Sequence, residues 1–262
     1  MAITKCLLVG CGKMGGALLN QWQRSDRFEF TVLDPMLDAL PMAGRLVREA
    51  AAIEGETFDV VIVAVKPQII DKVMPAYQAS LATDGVLVSI AAGYSIDRLK
   101  RLMGDTKIVR VMPNLPASIG QGVSGAVASG DVGDAEKALI GQLMDLAGTV
   151  VWVDTEDALD RLTAISGSGP GFVFEIARSY LAAAIDIGFA EYQARELVLE
   201  TMLGATAMAI QSDESLEALR NSVTSKNGAT QAGLEVLRGD STLENLLRDT
   251  IQATYNRTTE LR

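Results

Sequence analysis

Lys5-Cys6-Leu7-Leu8-Val9-Gly10-Cys11-Gly12-Lys13-Met14-Gly15 is an apolar strand candidate that runs directly into a glycine turn. A helical run from Gly16 to about Arg24 follows, and then a second apolar segment, Glu29 to Leu33, that ends at Asp34. This is the layout a dinucleotide site needs. Gly10 permits the tight strand-to-helix turn, Gly12 lets backbone amides approach a pyrophosphate, and Gly15 lets the helix pack closely on the strand. Lys13 and Met14 lie inside the same turn, and the phosphates would sit at a helix N-terminus, where free N–H groups and the helix dipole favour negative charge. The plain alternative is a tight turn and nothing more. Against it stand the strand before, the helix after, and an acid about 20 residues downstream.

That acid, Asp34, discriminates between cofactors. At the end of a second strand its carboxylate can accept hydrogen bonds from a ribose 2′-hydroxyl and would repel a 2′-phosphate, which predicts NADH over NADPH. The next residues, Pro35-Met36-Leu37-Asp38, offer no arginine for a 2′-phosphate, though Arg45 could reach in if the connection folds back. The lesser alternative is that Asp34 caps a short helix after it, Asp being a favoured cap.

Composition narrows the function classes. The 262 residues suffice for one large or two ordinary domains, and 48% hydrophobic with 21% charged residues is the make-up of a soluble globular protein. A formal charge of −10 argues against nucleic acid as a partner. Two cysteines, Cys6 and Cys11, make no disulfide framework and suit a cytoplasmic location. No export leader is expected from the N-terminus, and no membrane span either, since the longest apolar stretch, 171–188, is broken by Glu175, Arg178 and Asp186. The chain contains no histidine, which removes His–Asp acid–base catalysis and any metal site built on imidazole; no metal is expected. A proton donor must be Ser, Thr, Tyr, Lys, a carboxylic acid or water.

Through about residue 153, apolar runs at 5–9, 29–33, 59–65, 85–90, 107–112, 122–128 and 149–153 alternate with helical stretches that include 68–80, 95–102 and 132–147. Runs of Val and Ile without alternation suit strands covered on both faces. The βαβ pattern predicts an α/β fold with a doubly wound, mostly parallel sheet, in which ligands gather at the carboxyl ends of the strands. Beyond Val153 almost nothing reads as strand, and apolar residues recur at helical spacing in 172–187, 192–208 and 243–261. Two domains are expected, 1–153 and 154–262, the second all-helical. Its helix 172–187, carrying Ala182, Ala183 and Ala184, is too apolar for one exposed face, which points to burial in a homo-oligomer or in a monomeric core.

Five segments stand where chemistry could be placed: Ala64-Val65-Lys66-Pro67-Gln68, Ser89-Ile90-Ala91-Ala92-Gly93, Arg110 to Ala117 with Asn114 between two prolines, Ser166-Gly167-Ser168-Gly169-Pro170-Gly171, and Val223 to Thr230. Each alone is also ordinary loop punctuation, and Thr224, Ser225 or Thr230 could be a plain N-cap. In the last segment a helix is expected to restart near Gln231, its amides forming a cradle for a carboxylate with the Thr230 hydroxyl beside the reacting centre.

Taken in order, GCGKMG (10–15), AVKPQ (64–68), SIAAG (89–93), RVMPNLPA (110–117), GSGPGFVF (167–174) and VTSKNGAT (223–230) resemble the pyrroline-5-carboxylate reductase family over nearly the whole chain. The resemblance implies a Rossmann-like N-terminal domain followed by a helical substrate-binding and dimerisation domain. It implies hydride transfer from NADH or NADPH to the C=N carbon of 1-pyrroline-5-carboxylate, the last step of proline biosynthesis. It also implies a homodimer, or a pentamer of dimers, with the site between the nucleotide domain and a partner's helical domain. By the same resemblance Thr230 meets the ring nitrogen, while Gly228 and Ala229, with Ser225 beside them and Ser168, serve the substrate. Val65, Lys66, Pro67, Ala91, Ala92 and Gly93 line the cofactor groove, with Asn114 near it. A cyclic imine arrives partly protonated, so a hydroxyl suffices where a strong acid is absent.

The departures cluster at the substrate. The family's turn usually reads V-T/S-S-P-G-G-T/A-T, and this chain has Lys226 for the proline and Asn227 for the first glycine. Ser222 replaces a common asparagine, and Leu115 a threonine. Asn227 tolerates a left-handed backbone, so the turn can survive; Lys226 adds a cation beside the carboxylate site. Two other readings stay open on these residues: a β-hydroxyacid dehydrogenase using Lys226, and a non-catalytic NAD(H)-binding protein.

Overall fold

A computed structural model describes residues 3–40 and 44–261. Its first part is one eight-stranded sheet in the order β3-β2-β1-β4-β5-β6-β7-β8. The strands are β1 (Thr4–Val9), β2 (Phe28–Leu33), β3 (Arg45–Val47), β4 (Phe58–Val63), β5 (Leu81–Ser89), β6 (Lys107–Met112), β7 (Gly122–Ala128) and β8 (Gly148–Trp152). All neighbours pair in parallel except β6 and β7. Between them run α1 (Lys13–Trp22), the short α2 (Ile70–Val73), α3 (Ile96–Met103) and α4 (Asp134–Asp145).

The unbroken apolar runs are explained by cover on both faces. Cys6, Leu8, Val60, Ile62, Val86 and Val88 join Leu18, Leu19, Trp22, Ile140 and Leu143 in one cluster. Their alternates Leu7, Val9, Val61, Val63 and Leu87 join Ile70, Met74, Leu99 and Met103 in another. The period of two sends successive residues to opposite faces.

Two expectations change. The continuous helix expected over 68–80 is instead a 3-10 turn (Pro67–Ile69), α2, and a second 3-10 turn (Met74–Ser80). Pro75 lacks the amide an α-helix would use there, and its ring crowds the preceding turn. Strand β3 was not expected, because three residues carry no periodicity.

Beyond β8 come α5 (Glu156–Leu162), a π-helical turn (Thr163–Gly167), α6 (Gly169–Asp186), α7 (Glu191–Gln211), α8 (Leu216–Ser222), α9 (Ala229–Leu237) and α10 (Thr242–Glu260). The chain divides into two compact units, one running to Pro170 and taking up Thr254 onward, the other Gly171–Ala253. The division expected after 153 falls between β8 and α5. The first unit retains α5, and the Tyr255 hydroxyl near the end of α10 donates to Asp157 at 2.6 Å. In the second unit, a small core of Ala184, Ala194 and Val198 joins α6 to α7. Much of its apolar surface stays open, with Phe174 60%, Leu203 61% and Ile210 80% exposed.

Candidate active site

The glycine turn forms as the sequence predicts. Gly10 has φ +90°, and a Cβ on it would stand 2.7 Å from Val65 Cγ1. A Cβ on Gly15 would stand 2.8 Å from the Gly10 carbonyl oxygen, so α1 lies directly on the end of β1. Gly12 is the N-cap of α1, with open space where its side chain would be and no acidic residue in the following turn. Free amides of a first turn without a carboxylate form an anion site. The helix begins at Lys13, earlier than the expected Gly16, so Lys13 and Met14 belong to its first turn. Lys13 is exposed, and Met14 packs against the core cluster.

Asp34 lies just past β2, with both carboxylate oxygens taken up by backbone amides. Its Oδ1 accepts from the Met36 amide at 2.9 Å, closing a local turn, and residues 35–40 contain no helix for it to cap. Its Oδ2 accepts from the Cys11 amide at 2.7 Å, tying the carboxylate to the glycine turn. Burial, and then the Asp34 charge, push the Cys11 thiol up, so it stays protonated. Arg45 does not reach this place: its guanidinium is bound by Glu56 at 2.6 and 2.7 Å and by the Ala52 carbonyl at 2.7 Å. Arg48, which sequence reading passed over, instead reaches the Leu37 and Asp38 carbonyls, both at 3.3 Å, in the loop after Asp34.

Register puts the remaining strand ends on one edge. Val9 pairs with Val63, Val63 with Ser89, and Ser89 with Arg110. The Gly10–Gly15 turn, the Ala64–Pro67 loop and the Ala91–Gly93 loop therefore leave the sheet side by side. Val65 is half-buried and Lys66 exposed; Ala91 is buried, Ala92 exposed, and Gly93 has φ +68°. Tyr94 anchors the last loop: it is buried, donates to Asp71 at 2.7 Å, and lies under the Arg98 guanidinium at 4.3 Å. Burial and the Asp71 bond push its phenol up to about 12.

Asn114 is buried with its amide used at both ends. Oδ1 accepts from the Val123 amide at 2.9 Å and Nδ2 donates to the Ser166 carbonyl at 3.0 Å, so the side chain braces the π-turn ahead of Ser168. The Ser168 amide closes that turn onto the Thr163 carbonyl at 3.1 Å, and α6 opens at Gly169 with Pro170 in its first turn. Single π-turns concentrate at functional positions. Nearby, buried Arg110 donates to Glu156, whose same oxygen accepts the Ile96 amide at 3.0 Å.

In the second unit, residues 225–228 form a turn closed by the Gly228 amide on the Ser225 carbonyl at 3.0 Å. Asn227 takes φ +59°, the left-handed backbone anticipated for it. A Cβ on Gly228 would overlap the Ser225 hydroxyl. Gly228 is the N-cap of α9, so the helix restarts at Ala229, before the expected Gln231, and none of the three hydroxyl residues considered as N-cap serves as one. Thr224 donates to the Arg220 carbonyl and Ser222 to that of Leu219, each at 2.7 Å. Thr230, in the first turn, is exposed, and that turn contains no acid. Lys226 is exposed and carries no ion pair among the described residues. Those residues include no cluster of His, Cys, Asp and Glu fit for a metal, and no helix among them is long and apolar enough to cross a membrane.

Residues 156–261 match the family described as pyrroline-5-carboxylate reductase dimerisation, and residues 5–93 that described as NADP oxidoreductase, coenzyme F420-dependent. A pyrroline-5-carboxylate reductase of Pseudomonas aeruginosa is 32% identical over 100% of this chain and 98% of its own. That of Haemophilus influenzae is 37% identical over 78% of this chain and 75% of its own. Among solved structures, a pyrroline-5-carboxylate reductase from Coxiella burnetii superposes with a TM-score of 0.91 at 30% identity, covering 99% of each chain. The pyrroline carboxylate reductase of Plasmodium falciparum with NADP bound superposes at 0.85 with 25% identity, covering 98% of each. Matched over its whole length by a relative at 32% identity and by a solved structure at a TM-score of 0.91, the chain belongs to the pyrroline-5-carboxylate reductase family.

Proposed function

We propose that this chain reduces 1-pyrroline-5-carboxylate to L-proline, taking the hydride from NADH in preference to NADPH. The observation that carries this reading is the joint presence, along a full-length family match, of an acid-anchored dinucleotide turn and an acid-free helix start presenting Thr230. The reduced nicotinamide supplies two electrons and a hydrogen to the C=N carbon. The chain has to bind, orient and hold charge.

On the cofactor side, the Gly12–Gly15 amides take the pyrophosphate and Asp34 accepts from the ribose hydroxyls. Val65, Lys66, Pro67 and Ala91 to Gly93 wall the groove, and Asn114 holds its far end in shape. On the substrate side, the Gly228 to Thr230 segment receives the carboxylate beside Ser225, while the Thr230 hydroxyl bonds the ring nitrogen. Ser168 completes the substrate set. As the hydride reaches carbon, the π pair of the C=N bond becomes a lone pair on nitrogen, and the protonated imine becomes a secondary amine. That nitrogen loses its formal charge, and a neutral hydroxyl follows the change without a proton of its own being lost. A histidine-free chain can do this.

The working protein is a homodimer of cytoplasmic location, with assembly to a pentamer of dimers, and its functional halves divide at 153/154. The open apolar faces of α6 and α7 support association, since exposed patches of this kind mark interfaces. Initial rates of absorbance loss at the reduced-nicotinamide band, with pyrroline-5-carboxylate as substrate, test the activity. Turnover with NADH that collapses in Thr230→Ala supports it, and no turnover with either cofactor refutes it.

A further inference from the structure

The Ser225-Lys226-Asn227-Gly228 turn has a left-handed third residue. Such a turn is best specified by proline at the second position, which presets φ, and glycine at the third, which takes positive φ without steric cost. This chain has neither, with Lys226 at the second position and Asn227 at the third. Lys226 leaves φ free, and Asn227 tolerates the left-handed region less well than glycine. The local sequence therefore under-specifies a turn whose conformation is nevertheless retained.

The missing specification comes from Gln231. Its Oε1 accepts the Asn227 amide at 2.8 Å, and its Nε2 donates to Glu235 Oε1 at 2.9 Å, one helical turn further along α9. Because an amide N–H can only donate and a carboxylate only accept, a single orientation of the Gln231 amide satisfies both partners. The side chain is thus fixed from behind and clamps the left-handed residue onto the first turn of α9. That turn carries Gly228, Ala229 and Thr230. We infer that Gln231 is a positioning residue for the substrate turn, doing through a side chain what a proline–glycine pair does through backbone preference.

The inference rests on the reductase reading, and its test separates the two. Gln231→Leu is made in the wild-type chain and in a Lys226→Pro/Asn227→Gly background. In the wild-type background the KM for pyrroline-5-carboxylate is expected to rise about fivefold, the worth of one net hydrogen bond, while kcat and the KM for NADH change less than about twofold. With the proline–glycine pair restored, the same substitution should cost under about twofold, a coupling that a merely stabilising residue would not show. Hydrogen exchange of the residue 227 amide, which needs no turnover, should accelerate in Gln231→Leu. An equal KM penalty in both backgrounds, or unchanged exchange at residue 227, overturns the inference. Faster exchange in a protein whose wild type reduces no pyrroline-5-carboxylate would support the clamp and refute the reductase reading.

Discussion

On the proposed reading, replacing Asp34 by serine removes the charge that disfavours a 2′-phosphate. A 2′-phosphate seated where the ribose hydroxyls bind would lie about 4 Å from the carboxylate, and two unit charges at that distance repel by about 4 kcal/mol at an effective dielectric constant near 20. Asp34 is only half-buried, so water and salt lower this to about 2–4 kcal/mol, a preference for NADH of roughly 30- to 800-fold in kcat/KM. Asp34→Ser should bring the two cofactors within about tenfold, because a 2′-phosphate then meets no carboxylate at position 34, while Arg48 stays beside the loop, hydrogen-bonded to the Leu37 and Asp38 carbonyls and 4.0 Å from the Asp38 carboxylate. Efficiency with NADH should fall as well. The carboxylate also accepts the Cys11 and Met36 amides, and a charge-assisted bond is worth about 1.5–3 kcal/mol, of which one serine hydroxyl replaces only part. Paired initial rates with NADH and NADPH, for wild type and variant at fixed ionic strength, read out the ratio directly. A wild type that uses both equally, or a variant that keeps the wild-type ratio, would refute the reasoning and place discrimination elsewhere on the strand edge.

Thr230→Ala should lower kcat/KM about 10- to 100-fold, the worth of one hydrogen bond to a charged group, with cofactor affinity unchanged by fluorescence titration. Gly15→Ala forces a Cβ to 2.8 Å from the Gly10 carbonyl; urea titration should show a loss of about 1–3 kcal/mol, and NADH binding should weaken with it. Tyr94 stays protonated in the fold up to about 12, above the free phenol near 10, so its contribution is complete below pH 10 and is lost as pH rises through 12. The stability difference between wild type and Tyr94→Phe, followed by circular dichroism melts, should therefore hold to pH 10 and shrink above it; a constant difference would refute the assignment.

The parts of this fold that local sequence specifies were the parts it revealed. Val- and Ile-rich runs without alternation announce strands covered on both faces, and β4, β5 and β6 lie where those runs are. Three-residue β3 has no such signature, and Pro75 broke a helix whose apolar spacing otherwise looked continuous. At the site, the glycine turn, Asp34 and the left-handed Asn227 follow from what single residues permit. The Arg110–Glu156 pair and the Asn114 brace join residues 46 and 52 positions apart. Only the folded chain brings such partners together. Gln231 is an intermediate case: its spacing of four from both Asn227 and Glu235 could have flagged it, once the helix start was placed at Ala229.

The departures from the family's turn are coherent when seen from the ligand. On the proposed reading, a carboxylate received at the start of α9 would meet backbone N–H groups, so the side chains at 226 and 227 can change if the backbone path is kept. Asn227 keeps it by tolerating φ +59°, and the Gln231 bond holds it there. What remains new is the Lys226 cation. On a chain of net charge −10, a substrate carboxylate approaches through a repulsive field, and a lysine on the receiving turn is placed to offset that repulsion locally. The two substitutions therefore separate into a conformational one, compensated within α9, and an electrostatic one that favours an anionic substrate.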